Sequence, residues 1–295
     1  MKRKMSFSGV IFLCILLLFS PSAYALSTIF AYGDSLSDNG NLYAISGSPP
    51  SPPAYEGRFS NGPVWVETLA ASTGSNLVDW AYGGATTGYD NPAAGSSVLG
   101  LQWQLDMTVP TFSALDLDDT LFTVWAGAND FFQGRGYTDA AANIGTALNT
   151  LAAAGATSIM VPNLPDLGYT PEFYGDAGAV PSSVATGWTL GFNAVLDATL
   201  STFAACYSDI DLYYLDVFTL FGDYIITDAE GNITNVDEWQ AIFWDGVHPT
   251  SIGHNMIAGA AYDTLQTAPV PEPSTMVLMG LGLLGLARST RRRTK

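Results

Sequence analysis

Five short apolar runs set the limits on what this chain can fold into. They lie at residues 28–32, 76–81, 121–125, 158–161 and 210–215, and helical patterns at 64–71, 140–154, 184–205 and 251–266 fall between or after them. Short apolar runs bounded by turn residues read as buried strands, and strands alternating with helices specify a parallel sheet covered on both faces. No repeat and no linker interrupts residues 26–268, so this stretch reads as one domain. Residues 46–54 and 83–100, rich in Gly, Pro and Ser, read as surface loops. In such sheets ligands sit beyond the carboxyl ends of the strands. Four polar clusters fall there: Gly33-Asp34-Ser35-Leu36, Gly83-Gly84-Ala85-Thr86, Gly127-Ala128-Asn129-Asp130 and Asp245-Gly246-Val247-His248.

The rare residues narrow the chemistry. The chain of 295 residues has 27 acids against 10 lysines and arginines, a net charge of -17. The cations crowd the ends, and between residues 26 and 268 only Arg58 and Arg135 remain, against every acid but Glu272. That stretch therefore carries 2 - 26 = -24. Such acidity argues against nucleic acid as a partner. The absence of lysine from the stretch removes Schiff-base and pyridoxal-phosphate chemistry. Two histidines, with Cys206 as the one thiol outside the apolar leader, build neither a usual structural zinc site nor an internal disulfide. We expect no metal and no cofactor.

Both ends read as addresses. Residues 1–25 have a basic start, an apolar run from Phe7 to Phe19, Pro21 and an Ala23-Tyr24-Ala25 cleavage site, the layout of a secretory signal peptide. Residues 269–295 have a Pro-rich linker, a short apolar run from Met276 to Ala287 and a cluster of arginines. By physics alone this is a weak, transient membrane tether with its arginines on the cytoplasmic side. The order Val-Pro-Glu-Pro-Ser, apolar run, arginines also resembles the PEP-CTERM sorting signal. That resemblance implies exosortase as a processing partner and a destination at the envelope surface or matrix of a Gram-negative bacterium.

A serine nucleophile needs a base in reach and an acid to orient that base. Of the two histidines, His254 falls within the last helical pattern, where a structural role is the simpler reading. His248 precedes Pro249, which holds it in an extended loop, and Asp245 lies three residues upstream across a glycine. Ser35 follows the first strand at a turn, where helix capping is the competing role for a serine. The Gly84 N–H and the Asn129 amide are candidate donors to an oxyanion, against turn-forming roles for both.

With those residues in place, the chain resembles the GDSL-type esterases and lipases of the SGNH hydrolase superfamily. The matching phrases are Phe30-Ala31-Tyr32-Gly33-Asp34-Ser35-Leu36-Ser37-Asp38, Gly84-Ala85-Thr86, Gly127-Ala128-Asn129-Asp130 and Asp245-Gly246-Val247-His248-Pro249-Thr250. The resemblance implies a flavodoxin-like three-layer α/β/α sandwich with a central five-stranded parallel sheet. It also implies Ser35 as nucleophile, Asp245 and His248 as its acid–base pair, and an oxyanion hole made by Ser35, Gly84 and Asn129. The Gly83-Gly84 doublet leaves the choice of donor glycine open.

The expected substrate is a carboxylic ester with a lipid, aryl or short-chain acyl group, and Phe131 and Phe132 are candidates to line an acyl pocket. O-acylated extracellular polysaccharide, by hydrolysis or acyl transfer, is the second reading. A non-catalytic matrix protein is the third, and the complete set of site residues weighs against it.

Overall fold

A computed structural model describes residues 26–176, 179–229 and 232–267. The signal-peptide reading, the tether and the arginine cluster lie outside them. Five strands form one parallel sheet: β1 (Thr28–Gly33), β2 (Asn76–Asp79), β3 (Thr120–Trp125), β4 (Ser158–Pro162) and β5 (Asp211–Leu215), in the order β2-β1-β3-β4-β5. The three inner strands supply Ile29, Tyr32, Leu121, Phe122, Ile159 and Met160 to the core, all fully buried. Edge strand β2 is only partly covered.

Helices lie on both faces because the connections change direction. The step from β1 to β2 runs one way, through α1 (Asn41–Ser46) and α2 (Trp65–Thr73). The steps from β2 onward run the other way, through α3 (Leu101–Thr108), then α4 (Ala128–Phe132) and α5 (Tyr137–Ala153), then α6 (Ser182–Cys206). Right-handed crossovers in opposite directions put their helices on opposite faces. Hence α5 packs on α6 and α3, while α2 pairs with the last helix, α9 (Ser251–Gln266), which follows α7 (Val217–Tyr224) and α8 (Val236–Ala241). The reversal lies between β1 and β3, where a doubly wound sheet opens a crevice.

One expectation needs correction, and one competing role falls away. Residues 83–100 are not simply a surface loop: Gly83, Gly84, Ala85, Thr86 and Thr87 are buried, and the segment runs directly into α3. Ser35 caps no helix. It lies in the turn after β1, and Asp38 takes the capping work, accepting from the N–H groups of Gly40 (2.8 Å), Asn41 (2.6 Å) and Leu42 (3.2 Å) at the start of α1.

Candidate active site

The chain leaves β1 through Gly33, whose φ of +149° and contact with the Trp125 carbonyl leave no room for a side chain. Gln104 of α3 grips this glycine from both sides, its oxygen taking the Gly33 N–H at 2.9 Å and its amide giving to the Gly33 carbonyl at 2.8 Å. Asp34 and Ser35 follow at once, so the position of Ser35 is fixed by backbone.

His248 comes from the other end of the sequence. Phe243 and Pro249 bridge in antiparallel fashion, and the Trp244 N–H gives to the His248 carbonyl at 2.7 Å, closing a tight loop with Asp245 at its tip. Asp245 Oδ1 accepts from the N–H groups of Val247 (2.9 Å) and His248 (2.8 Å). The imidazole stands between two partners. Nδ1 lies 2.8 Å from Asp245 Oδ2, and Nε2 lies 2.8 Å from Ser35 Oγ. An ionised carboxylate only accepts, so Nδ1 carries the hydrogen and Nε2 is left bare to receive the Ser35 proton. Burial pushes the Asp245 carboxyl up, but the bond and charge of His248 and the two N–H donors outweigh it and hold it below the usual range. It therefore stays ionised at neutral pH. The Phe59 ring lies against the imidazole at 5.0 Å and fills the space over Gly83.

The donors separate clearly. Gly83 N–H is spent on Asp38 Oδ2 at 2.7 Å. Gly84 N–H and Ser35 N–H have no partner among the described residues. Gly84 sits at φ +82°, and a Cβ there would strike Ala93 and approach Asn91 Oδ1 to 2.6 Å. Asn129 is different, since its amide gives to the Ala85 carbonyl at 3.0 Å and to Asp34 Oδ2 at 3.2 Å, engaging both hydrogens. Burial pushes Asp34 up to about 7, against the opposing pull of the Leu36 N–H, His248 and Asn129.

The loops around Ser35 are fastened by carboxylates to which the sequence assigned no role of their own. Asp38 ties the β1 loop to Gly83, and Asp79 at the end of β2 takes the N–H of Asn39 at 3.0 Å. Asp130 of α4 takes the Thr87 N–H at 2.8 Å and the Thr87 hydroxyl at 3.0 Å. Asn91 adds a bond from its amide to the Gly83 carbonyl at 2.7 Å. Of these, Asp38 and Asp130 stood inside matching phrases and Asp79 opened the stretch Asp79-Trp80-Ala81-Tyr82 just before Gly83-Gly84, whereas Asn91 and Gln104 gave no signal.

Two cavities meet at the site. A narrow one of about 30 Å³ lies under Ser35, walled by Trp125, Leu164, Phe221 and Ile257. A wider one of about 620 Å³ is lined by Phe131, Phe132, Phe173, Val180 and Val247, with Glu172 on its rim. Phe132 and Val247 belong to both.

His254 stands apart, fully buried, its Nδ1 accepting the Trp65 N–H at the start of α2 at 3.2 Å. Burial lowers its pKa to about 3, with the charge of His248 adding to the effect. The unfolded chain therefore takes up a proton there that the folded chain refuses. His254 contributes stability in full above about pH 6.5 and loses it towards pH 3, by roughly 1.4 kcal/mol per pH unit at most. Asp34 runs the opposite way, since its raised value makes the folded chain the better proton acceptor between 3.8 and about 7. A variant comparison separates the two. His254→Gln keeps an acceptor for Trp65 but does not titrate, so its melting temperature should lie below wild type at neutral pH and converge with it near pH ~4.5. A constant gap across that range would remove His254 as an acid-sensitive element.

Comparison with known proteins shows the family. A profile described as GDSL-like Lipase/Acylhydrolase matches residues 29–261, which is most of the chain. The chain belongs to the GDSL-like lipase/acylhydrolase family. A second profile, the PEP-CTERM protein-sorting motif, matches residues 269–293. Among curated relatives of this family member, a phosphatidylcholine-sterol acyltransferase from Aeromonas hydrophila is 38% identical over 163 residues, covering 52% of this chain and 49% of that protein. A thermolabile hemolysin from Vibrio parahaemolyticus is 28% identical over 266 residues, covering 79% of this chain and 62% of the relative. The chain thus spans about half to three-fifths of the length of these relatives. In fold it is similar to an α/β hydrolase from the metagenome of Lake Arreo, Spain, with TM-score 0.51 and 13% identity over 81% of this chain and 94% of that one. A mutant of an acetyl-xylooligosaccharide esterase from Geobacillus Stearmophilus gives TM-score 0.50 and 15% identity over 83% and 97%.

Proposed function

We propose that residues 26–268 form a secreted serine hydrolase of carboxylic esters that works through an acyl-serine intermediate. The observation that carries this reading is the continuous relay Ser35–His248–Asp245, with both bonds at 2.8 Å. His248 takes the Ser35 proton as Oγ attacks the ester carbonyl, and the charge on the carbonyl oxygen falls to the N–H groups of Ser35 and Gly84. Asn129 joins by exchanging its longer bond, the one to Asp34, for the oxyanion. His248 then gives its proton to the departing alcohol, and a water activated by the same imidazole frees the acid.

The acyl chain runs from Ser35 past Phe132 into the wider cavity, where Phe131, Phe173 and Val180 supply apolar wall. Glu172 on that rim and the charge of -24 disfavour anionic substrates. The PEP-CTERM motif supports export and exosortase processing at the cell surface. Acyl transfer instead of hydrolysis needs only an alcohol in place of water at the second step, and one relative bears an acyltransferase name.

A fluorophosphonate probe should modify the chain once, at Ser35, and should leave Ser35→Ala unmodified. Equal labelling of that variant, or labelling at another serine, would remove Ser35 as nucleophile.

A further inference from the structure

Trp80, Tyr82 and Trp103 form an aromatic cluster at the margin of the core, against which Trp80 packs, and the proposed chemistry uses none of them. Trp103 is 6.4 Å from Trp80 and 5.9 Å from Tyr82, the rings set at 56° and 71°. All three are half-buried. Their polar ends are unused, a property shared by Trp244 in the His248 loop, but only here do they gather in one cluster. The indole N–H groups of Trp65, Trp125, Trp188 and Trp239 are bonded inside the protein, to Ser37, Asn163, Arg135 and Tyr169. Those of Trp80 and Trp103, and the Tyr82 hydroxyl, have no partner among the described residues, and none of them is a sealed-off polar atom. Three aromatic faces thus share one place with three unused hydrogen-bonding groups open to water.

The place is defined by the sheet. Trp80 and Tyr82 follow edge strand β2, and Tyr82 directly precedes Gly83-Gly84. Trp103 is next to Gln104, which holds Gly33. The wider cavity lies on the other side of Ser35, where the loops after β3 and β4 lie. With an acyl chain in that cavity, the side of Ser35 towards β2 is the side left for the alcohol part of an ester.

The ligand must suit the charges nearby. Both arginines of residues 26–268 are engaged, Arg58 with Glu67 and Arg135 with Asp90, each at 2.6 Å. No cation is left for a phosphate, sulfate or uronate. What fits is a neutral molecule with flat apolar faces and a rim of hydroxyls, which aromatic rings with free N–H and O–H groups hold on both counts. We infer that Trp80, Tyr82 and Trp103 are a binding platform for the sugar rings of a neutral glycan, placed so that an O-acyl group on the glycan reaches Ser35. The delivery to Ser35 rests on the hydrolase reading above, whereas the binding does not.

The test separates the two. In the full chain carrying Ser35→Ala, xylohexaose should quench tryptophan fluorescence saturably, and adding Trp103→Ala should weaken that binding by about tenfold. With Ser35 intact, Trp103→Ala should raise KM for acetylated xylan by about the same factor, while kcat/KM for 4-nitrophenyl acetate stays within about twofold. Trp103→Phe should restore part of the glycan effect, which separates a lost ring from a disturbed helix. Saturable binding weakened by Trp103→Ala, with no turnover of either ester by the wild type, would keep the platform and sink the hydrolase reading. Turnover of 4-nitrophenyl acetate with no oligosaccharide binding, or with both esters falling together in Trp103→Ala, would sink the platform and keep the hydrolase. Loss of binding to neutral phosphatidylcholine vesicles in Trp103→Ala, with xylohexaose unaffected, would overturn the glycan in favour of a lipid surface.

Discussion

His248→Ala should hydrolyse a simple ester such as 4-nitrophenyl acetate about 10⁴- to 10⁶-fold more slowly than the wild type. The loss falls on kcat, because the imidazole touches Ser35 and Asp245 at 2.8 Å and does its work only once the hydroxyl begins to attack. Ser35→Ala should lose about as much as His248→Ala, and the double variant little more than either, since a relay broken at one link gains nothing from the others. Asp245→Asn tests the orientation. An amide can present its NH₂ to Nδ1, which moves the ring hydrogen to Nε2, where it blocks proton transfer from Ser35. In a buried relay that change costs about 10⁴ in kcat. Asp245 is 45% exposed here, so water shares in stabilising the imidazolium, and its loss should be smaller than that of His248→Ala. Activity within about tenfold of wild type in His248→Ala would mean that another group accepts the Ser35 proton.

Gly84→Ala should lower kcat by at least about 10²- to 10³-fold with KM nearly unchanged. Two features converge on this residue. Its φ of +82° strains any side chain, and the added methyl meets Ala93 and Asn91, so the backbone must rotate away from Ser35. Asn91 is itself bonded to Gly83, and the disturbance therefore travels into the loop that carries both glycines. A donor N–H turned away leaves ester binding in the acyl cavity intact but removes a bond that forms fully only with the tetrahedral oxygen. Circular dichroism and melting on the same sample establish that the variant is folded. A folded Gly84→Ala with kcat within about threefold of wild type would take this N–H out of the chemistry.

The sheet and the long helices were legible because burial writes a period into the sequence. The five runs predicted strands that begin and end within two residues of those observed, and the pattern at 251–266 matches α9. Helices α1, α4, α7 and α8 were not legible, since each spans eight residues or fewer, too short for an apolar period to stand out. Local caps start two of them, Asp38 at α1 and Asp216 at α7, where it takes the Thr219 N–H at 3.0 Å, while α4 and α8 have no side-chain cap. Helix α3 was hidden for another reason. Its Gln102 and Gln104 are buried for hydrogen bonds to Thr87, Asn143 and Gly33, which breaks the apolar stripe. In the site, scarcity did the work: with two histidines available, Pro249 and Asp245 singled out His248. Nothing comparable marked Trp80 or Trp103, because a tryptophan with an unused N–H looks the same in a sequence as one with a partner.

The inward-facing carboxylates divide the site into an inherited half and an adaptable half. Asp38, Asp79 and Asp130 each bond to backbone, so the loops after β1, β2 and β3 keep one another in register. A change of length in any one of them pulls on two others, and those loops tolerate revision only in concert. The loops after β4 and β5 are joined to each other by the Glu172 N–H and the Gly246 carbonyl at 2.8 Å, and meet the first group at the His248–Ser35 bond and where the Ser251 N–H gives to Asn61 Oδ1 at 2.8 Å. Insertions and swaps there can reshape the acyl cavity while the oxyanion donors stay where they are. New acyl preferences in such a scaffold should arise between residues 163 and 181, and attempts to graft the β1–β3 loops singly should yield folded proteins without turnover.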